Sequence, residues 1–494
     1  MVQSKSESEG ALRFLAQSRL LAGTLGLVCL LAGAGCALPG HPVTGHTKAT
    51  SAYAQSETAL TTSFSGGKHR VVVAFNDGTN GEATIQYTET SRTVLPGASL
   101  MGWAFSEDGG MTWAYGGRVT PPDGWAAIWG DPALTTSGAH YNVVFMANLA
   151  IPSSKMPPTG VVGAVNNYIG GACIARSTDG GISFKVHQMV SNEGHFYDGG
   201  SLASNKKGNV FAAFVDVDAD RIDVWQAPND GAQFERLSNP FPGLAMYSHP
   251  RLRVHEASGD LYVAAQASDW TVFMAKWNGS SWTQPLRVSN PAQLYPTIQF
   301  ASGRKVRAGP QFAFDIGAAS EGGNDAVRLL YTQKEEKTGR LYVTGSYARL
   351  DLTGAWAAPE WGTTPGNLNT PGDQFNPNVR AWDGFIGMPP VWKAAYVDRH
   401  PAKGDTLRLK QGNLAYFPDG TRIYLPFNAM DYDIPICPDT RGYWGDYDDL
   451  EISEFSGDPP TPTFIRTVSD SGAGCEYEWK YTSHHVHIRA ATFK

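Results

Sequence analysis

The sequence is short of charge: only 17% of its 494 residues are Asp, Glu, Lys or Arg, and the net charge is −7. Disordered tails, coiled coils and long helical repeats need more charge and fewer helix-breaking residues. The chain has 55 Gly and 31 Pro, so these three classes of protein are excluded. No Lys/Arg run stands out, which argues against nucleic acid as a partner, because neutralising phosphates requires a basic face. No stretch keeps a 3.6-residue apolar period, so helices should be few and short.

The first 36 residues are predicted to be a signal peptide with a lipoprotein-like cleavage site. Arg13 and Arg19 precede an uncharged, apolar stretch at 20–35, which ends on small residues before Cys36. This ending resembles the bacterial lipoprotein signal, in which the cysteine is lipidated, although Gly33 stands where Leu is usual. Ordinary cleavage and an uncleaved anchor are the alternatives. Residues 37–56 are predicted to be a flexible tether, so we expect an exported protein that is lipid-anchored at the bacterial envelope or secreted.

Cysteine is scarce, with five in the chain, and no two form a Cys-x-x-Cys pair, which excludes a zinc ribbon. Cys437 and Cys475 lie 38 residues apart (475 − 437), and export would permit a disulfide between them. Cys173 lies in an apolar, strand-like run and is predicted to be a buried, inert thiol. Serine-hydrolase, phosphate-loop and dinucleotide-binding motifs are also absent, so those enzyme classes have no support.

Two segments repeat a Gly-rich motif. Residues 106–113 and 177–184 both fit S-x-D-G-G-x-[ST]-[WF], and looser copies occur at 229–234 and 278–282. Asp accepts hydrogen bonds across a turn, Gly supplies positive φ and the aromatic packs back, so the motif predicts a hairpin turn. The segments resemble the Asp-box (BNR) repeats of sialidase-like β-propellers. In that family these repeats are structural and lie away from the catalytic face.

A second repeat runs in phase with the first over residues 57–494, the predicted propeller domain. Each copy has a polar or Pro-containing start, an apolar strand, a Gly turn and a second strand that ends in Asp or Asn. The intervals between starts run from 51 residues (249 − 198) to 74 residues (131 − 57), which suits one four-stranded antiparallel sheet each. We predict an all-β fold, a β-propeller of seven blades, or of six if the chain ends share a blade. The starts are Glu57, Asp131, Asp198, His249, Gly309, Asn376 and Asp446.

Polar side chains at the starts of inner propeller strands face a common opening, and this predicts the position of a site. The expected catalytic residues are Asp131, Asp198, His249, Arg251, Asp446 and Tyr447. The expected ligand-binding residues are Trp129, His195, Tyr197, Tyr247, Asn376 and Trp444. These types suit carbohydrate, because aromatic rings stack on sugars, carboxyls act as acid or base, and Arg binds carboxylates. The alternative is that strand-start Asp and Asn residues only cap backbone N–H groups.

The tripeptide Trp-Gly-Asp occurs twice, at 129–131 and 444–446. Gly lets the backbone approach the channel, while Trp offers a stacking face beside an Asp acceptor. We predict that both copies border one opening and that Trp444, Asp446 and Tyr447 contact the ligand. The alternative is architectural, with each Trp packed between blades.

Two segments have metal-like patterns. Residues 216–220 alternate Asp with apolar residues but lack the Gly and Glu of a calcium loop, so a solvated turn is the preferred interpretation. Residues 484–487 hold three His without a carboxylate or Cys at ligand spacing and are predicted to form a closing strand. We therefore expect no metal and no cofactor.

The family resemblance implies a propeller that acts on or binds extracellular glycans at its central channel. A sialidase would need three arginines around a carboxylate, a Tyr–Glu pair, an acid Asp and an Arg-Ile-Pro motif. No Arg-Ile-Pro string occurs in the sequence. Only Arg251 lies at the start of an inner strand, with Arg380 as a second candidate, so strict sialidase activity is not expected. Glycoside hydrolysis or polysaccharide lysis is one hypothesis, and a non-catalytic envelope propeller that binds glycan or protein is the other. We expect a monomer.

Overall fold

The computed structural model describes residues 41–42, 55–77, 85–87, 92–94, 97–156, 161–162, 169–191, 194–289, 291, 297–299, 305–307, 312–318, 325–335, 337–350, 352, 373–382, 391–399, 406–416, 422–428, 434–435, 450–453, 463–470 and 487–493. Several sequence predictions concern residues outside these ranges. Among them are the signal peptide at 1–36 with lipidation at Cys36, the repeat start at Gly309, the Cys437–Cys475 pairing, and the site residues Trp444, Asp446 and Tyr447.

The described residues form strands and one 3-10 turn, Ser153–Lys155, in agreement with the absence of a helical period. The first strands are β1 (His41–Pro42), β2 (Gln55–Ser65), β3 (Lys68–Asp77), β4 (Ile85–Tyr87), β5 (Arg92–Val94), β6 (Ala98–Ser99), β7 (Met101–Ser106), β8 (Ala114–Arg118), β9 (Trp125–Ile128), β10 (Ala133–Thr136), β11 (Val144–Pro152) and β12 (Val161–Val162). The next are β13 (Gly171–Ser177), β14 (Lys185–Val190), β15 (Tyr197–Ser204), β16 (Val210–Asp216), β17 (Arg221–Ala227), β18 (Glu235–Arg236), β19 (Arg251–Val254), β20 (Leu261–Gln266), β21 (Val272–Trp277), β22 (Leu286–Arg287), β23 (Thr297–Gln299) and β24 (Lys305–Arg307). The last are β25 (Phe312–Ala318), β26 (Asp325–Lys334), β27 (Leu341–Arg349), β28 (Gln374–Trp382), β29 (Val391–Arg399), β30 (Thr406–Tyr416), β31 (Arg422–Asn428), β32 (Ile434–Pro435), β33 (Leu450–Ser453), β34 (Thr463–Asp470) and β35 (His487–Phe493).

The sheets follow one another along the chain, each built from antiparallel neighbours. They are β2-β3-β7-β8, β10-β11-β13-β14, β15-β16-β17-β18, β19-β20-β21-β22, β25-β26-β27 and β28-β29-β30-β31, and β1 joins β35, β34 and β33 from the other end of the chain. The first strands of successive sheets lie side by side, β2 against β10, then β15, β19, β25 and β28. Sheets arranged in this way, with their first strands around one axis, form a β-propeller.

The core consists of layers between neighbouring sheets, as β16 illustrates. Val210, Ala212 and Phe214 pack towards the preceding sheet, whereas Phe211 and Val215 pack towards the following one. Successive side chains of a strand point to opposite faces, so a strand buried on both faces has a continuous apolar run, as this one does. Strand number varies, because the sheet of β25 to β27 has three described strands and β9 also pairs with β11.

Cys173 lies in the layer between the sheets of β2 and β10 and is fully buried, as predicted. Burial raises the pKa of its thiol to about 12. Such a thiol stays protonated and unreactive at neutral pH.

Residues 106–113 and 177–184 form matching hairpin turns between β7 and β8 and between β13 and β14, at the end of the sheets opposite the strand starts. Asp108 Oδ1 accepts the N–H groups of Met111 (3.0 Å) and Thr112 (2.8 Å). Asp179 does the same for residues 182 and 183, both at 3.0 Å. The carboxylates thus hold the turns, and this arrangement gives them a structural role.

These two carboxylates should make stability depend on acid. Burial works to raise the pKa of Asp108 and Asp179, but hydrogen bonds from the Thr112 and Ser183 hydroxyls and the turn N–H groups outweigh it and lower both. A lowered folded pKa stabilises the protein above the unfolded value, about 3.9, and this contribution is lost as the pH falls through the folded pKa. Asp108→Asn with Asp179→Asn should cost about 1 kcal/mol per site at pH 7 and less at pH 3. Urea unfolding across this range measures it, and equal losses at both pH values would refute it.

No helix among the described residues has the length and hydropathy needed to cross a membrane.

Candidate functional site

The starts of the inner strands have irregular backbone. The register of β15 shifts between Asp198 and Gly200, and Gly199 between them has φ +52°. Asp131, just before β10, has φ +56°, and Asn376 in β28 has φ +49°. Asn and Asp tolerate this left-handed region better than other side chains do. Because bulges re-aim side chains, these irregularities explain how the strand-start groups are brought together.

Three of the predicted catalytic side chains meet. Asp131, Asp198 and His249 each place one donor or acceptor atom within 4.8 Å of the others. Asp198 Oδ1 is 3.7 Å from His249 Nε2. The Asp198 side chain is 37% exposed and the His249 side chain 3%, so a ligand can reach the carboxyl while the imidazole supports it from behind.

Gly199 lies between these groups and must lack a side chain. Its N–H donates to Asp198 Oδ1 (3.0 Å) and to Asp131 Oδ2 (3.3 Å). A Cβ on Gly199 would lie 2.3 Å from Cγ and Cδ2 of His249. The Asp residues therefore do cap a backbone N–H, as the alternative interpretation held, while they also form the cluster.

The cluster holds Asp198 ionised. Burial by itself would raise the pKa of Asp198, but interaction with His249 and a hydrogen bond shared with Asp131 outweigh burial and hold this pKa below its usual value. Two carboxyls this close cannot both ionise easily, so one retains a proton.

Below the cluster, three arginines line the channel: Arg251 and Arg253 on β19, and Arg380 on β28. The space there is partly open to solvent. Its described lining contains no carboxylate, although Asp315 pairs with Arg253 at 3.4 Å. Arg380 is buried and the other two are half-buried.

His195 and Tyr197 belong to a network of buried charges beside the cluster. His195 Nδ1 lies 3.0 Å from Asp216, which also binds Arg221. The Tyr197 hydroxyl donates to Asp223 (2.8 Å), and burial followed by the charge of Asp223 raises its pKa. Tyr197 is fully buried and has no exposed surface, so the prediction that it contacts a ligand was wrong. The turn predicted at 216–220 follows β16, with residues 217–220 exposed or partly exposed, whereas Asp216, the last residue of β16, is buried.

The other predicted binding residues differ in exposure. Trp129 is half-buried and packs against the core between the sheets of β10 and β15, which fits the architectural alternative for this Trp-Gly-Asp copy. Asn376 is buried. Tyr247 is 46% exposed and precedes His249 by two residues on the same rim.

Sequence reasoning missed Arg253 and Trp270. Arg253 shares a face of β19 with Arg251, and the two-residue period of a strand was a usable signal for it. Trp270 lies in the turn between β20 and β21, where no repeat pointed to it.

The cluster also offers donor atoms that a divalent metal takes as ligands, two carboxylates and one imidazole. Among the described residues, this is the group of three His, Cys, Asp or Glu side chains close enough to one another to bind a metal ion together. The expectation of no metal stays a prediction.

No protein-family model matches the chain, and comparison with curated proteins gives no match. Solved structures resemble it weakly. A Hadza microbial sialidase is 14% identical with a TM-score of 0.41, over 79% of this chain and 68% of its own. The α-L-arabinofuranosidase of Fusarium graminearum is 10% identical with a TM-score of 0.41, over 80% and 98%. The Aleuria aurantia fucose lectin, a six-bladed β-propeller, is 10% identical with a TM-score of 0.38, over 74% and 96%. Likenesses this distant assign no activity to the chain, and the propeller fold rests on its own sheet order.

Proposed function

We propose that the protein is a glycan-active enzyme that cleaves an acidic glycan at the mouth of its channel, with Asp131 and Asp198 as the catalytic carboxyls. The observation that carries this proposal is the meeting of the two carboxyls with His249 within 4.8 Å. The pKa of Asp198 is held below its usual value, and an ionised Asp198 beside a protonated Asp131 would give the division of roles that acid–base cleavage needs.

The spacing of the pair argues against an inverting mechanism. Inverting glycosidases need about 6.5 to 9.5 Å between their carboxyls to admit a water, and the pair is closer than that. Asp198, the ionised member, is the nucleophile or base, and Asp131 is the acid that protonates the leaving oxygen. His249 acts through Asp198 as a positioning residue.

The arginines support an acidic substrate. Arg251, Arg253 and Arg380 concentrate positive charge in the channel of a protein whose net charge is −7. Guanidinium groups bind carboxylates with two parallel hydrogen bonds, so a sugar carboxylate entering the channel would be fixed relative to the cluster.

The test is a panel of acidic and neutral polysaccharides, assayed for new reducing ends and for absorbance of an unsaturated uronate. Reducing ends without the unsaturated product support hydrolysis, and both together indicate a lyase. Binding without turnover would refute the enzyme and leave the glycan-binding alternative.

Arg251→Gln should lower kcat/KM on acidic substrates by about tenfold or more, since a hydrogen bond to a charged group contributes about 1.5 to 3 kcal/mol. The kcat/KM on neutral substrates should fall much less. Arg251→Lys keeps the charge but not the paired hydrogen bonds, so its kcat/KM on acidic substrates should lie between those of the wild type and Arg251→Gln. Equal losses on acidic and neutral substrates would contradict a carboxylate contact.

We also propose a seven-bladed propeller, exported and anchored through Cys36. The blade count is supported by β33, which lies against both β28 and β2 and so fits a seventh inner strand. The anchor rests on the N-terminal sequence, and mass spectrometry of the mature N-terminus tests it.

A further inference from the structure

We propose that Trp270 and Tyr247 form an aromatic subsite that holds a second sugar ring of the glycan, next to the ring at the carboxyl cluster. This inference rests on the proposed function and adds a residue that no sequence repeat indicated. It predicts a substrate of at least two sugar units.

Trp270 has a backbone conformation that its side chain disfavours. Its φ is +67°, in the left-handed region, and 41% of the residue is exposed. Bulky residues rarely adopt this region, and they keep it only where the surroundings fix them. Such outliers cluster at ligand-binding positions, and an exposed indole in this conformation needs an explanation other than core packing.

Hydrogen bonds fix the turn that carries Trp270. Its N–H donates to Ala267 O, and the N–H of Ala267 donates to Thr271 O, both at 2.9 Å. The buried Gln266 donates from Nε2 to Trp270 O at 3.4 Å. Asp269 Oδ1 accepts from the N–H (3.0 Å) and hydroxyl (2.5 Å) of Thr271. The indole is therefore presented by a rigid turn, and little ordering is left to be done when a ligand binds.

The same hydrogen bonds place this turn beside the cluster. Gln266 N–H donates to Ser248 Oγ (2.8 Å), directly before His249. Gln266 O accepts the N–H of Tyr247 (2.9 Å). Trp270 thus lies in the turn after β20, the strand that pairs with β19. This turn is one to two strand spacings, of about 4.8 Å each, from the chain segment that carries His249. That separation is on the scale of adjacent sugar rings.

The chemistry of the rim favours a sugar as the occupant. Sugar rings present C–H faces that stack on aromatic rings while their hydroxyls stay solvated or hydrogen-bonded. Tyr247 and Trp270 offer such faces beside the hydroxyl-binding and proton-transferring carboxyls. The rim thus provides two exposed aromatic rings for stacking and, next to them, a carboxyl pair for hydrogen bonding to sugar hydroxyls.

The experiment measures how affinity depends on chain length. Galacturonate oligomers and hyaluronan oligosaccharides of one to four units are titrated by calorimetry into the Asp198→Asn protein, which prevents turnover. Trp270→Asn in that background keeps a residue that tolerates the left-handed region. It should weaken binding of the two-, three- and four-unit oligomers about tenfold and leave single-sugar affinity unchanged.

Two further variants serve as controls. Tyr141→Ala removes an exposed aromatic ring from the turn between β10 and β11, at the opposite end of the sheets, and should change no affinity. Trp270→Phe keeps an aromatic face and should recover part of the loss. Thermal melts check that each variant folds.

The outcomes separate this inference from the proposed function. Oligomer affinity that does not depend on Trp270, or a loss equal for one and four units, overturns the subsite even if the wild-type enzyme turns substrate over. Failure of every oligomer to bind overturns it as well. Binding that depends on Trp270 and chain length, without turnover by the wild type, supports the subsite and refutes the enzyme.

Discussion

Asp198→Asn should lower kcat/KM on the acidic glycan by roughly 10²- to 10⁴-fold, because it removes the ionised member of the carboxyl pair. Asn keeps the size of the side chain and the acceptor for the Gly199 N–H, so the fold should remain. Steady-state kinetics on the best substrate of the polysaccharide panel measure the loss.

The pH dependence of the wild type adds a second readout. Since the pKa of Asp198 is lowered, the acidic limb of kcat/KM should fall below the ordinary Asp value of about 3.9. Activity should also fall at higher pH when the pair loses its shared proton, which gives a bell-shaped profile whose two pKa values belong to the pair. Asp198→Asn should lack the acidic limb.

Two controls make the result specific. Asp123→Asn changes an exposed carboxylate in another loop and should leave kcat/KM unchanged. Dialysis against EDTA should also leave it unchanged. Loss of activity on chelation, with recovery on adding a divalent ion, would instead make the cluster of Asp131, Asp198 and His249 a metal centre, and full activity of Asp198→Asn would refute the acid–base role.

The convergence of the cluster could be predicted because the fold repeats. Asp131, Asp198 and His249 are 67 (198 − 131) and 51 (249 − 198) residues apart, and only their common position in the repeat connects them. In a propeller, equal positions in the repeat become equal heights around one axis, so the phase of a sequence repeat predicts proximity.

Side-chain direction could not be predicted in the same way. Tyr197 and Asp198 are adjacent, so alternation sends them to opposite faces of β15, and Tyr197 is buried against Asp223 while Asp198 enters the cluster. The repeat phase does not say which of the two faces the channel, and the bulge at Gly199 adds one residue that a strict two-residue alternation does not anticipate further along the strand. Trp270 was missed for another reason, since its position depends on hydrogen bonds of a turn outside both repeats.

Gly199→Ala should disrupt the cluster without touching any of its functional groups. The new Cβ would lie 2.3 Å from two His249 ring carbons, far inside contact distance, and φ +52° is unfavourable for Ala. His249 is almost completely buried, so its ring cannot move aside without displacing its packing. We expect kcat/KM to fall by about 10²-fold or more, since small misplacements of catalytic groups cost this much. The free energy of unfolding should fall by about 1 to 3 kcal/mol from overpacking.

Gly66→Ala separates the clash from the backbone strain. Gly66 has φ +60°, close to that of Gly199, but nothing lies within 4 Å of a Cβ built on it. It therefore carries the left-handed penalty alone, and we expect a smaller loss of stability with unchanged kcat/KM. If the two variants behaved alike in kinetics and in unfolding, the imidazole would not be held against Gly199. The positioning of Asp198 would then have to come from the hydrogen bond of Asp131 and the Gly199 N–H, without His249.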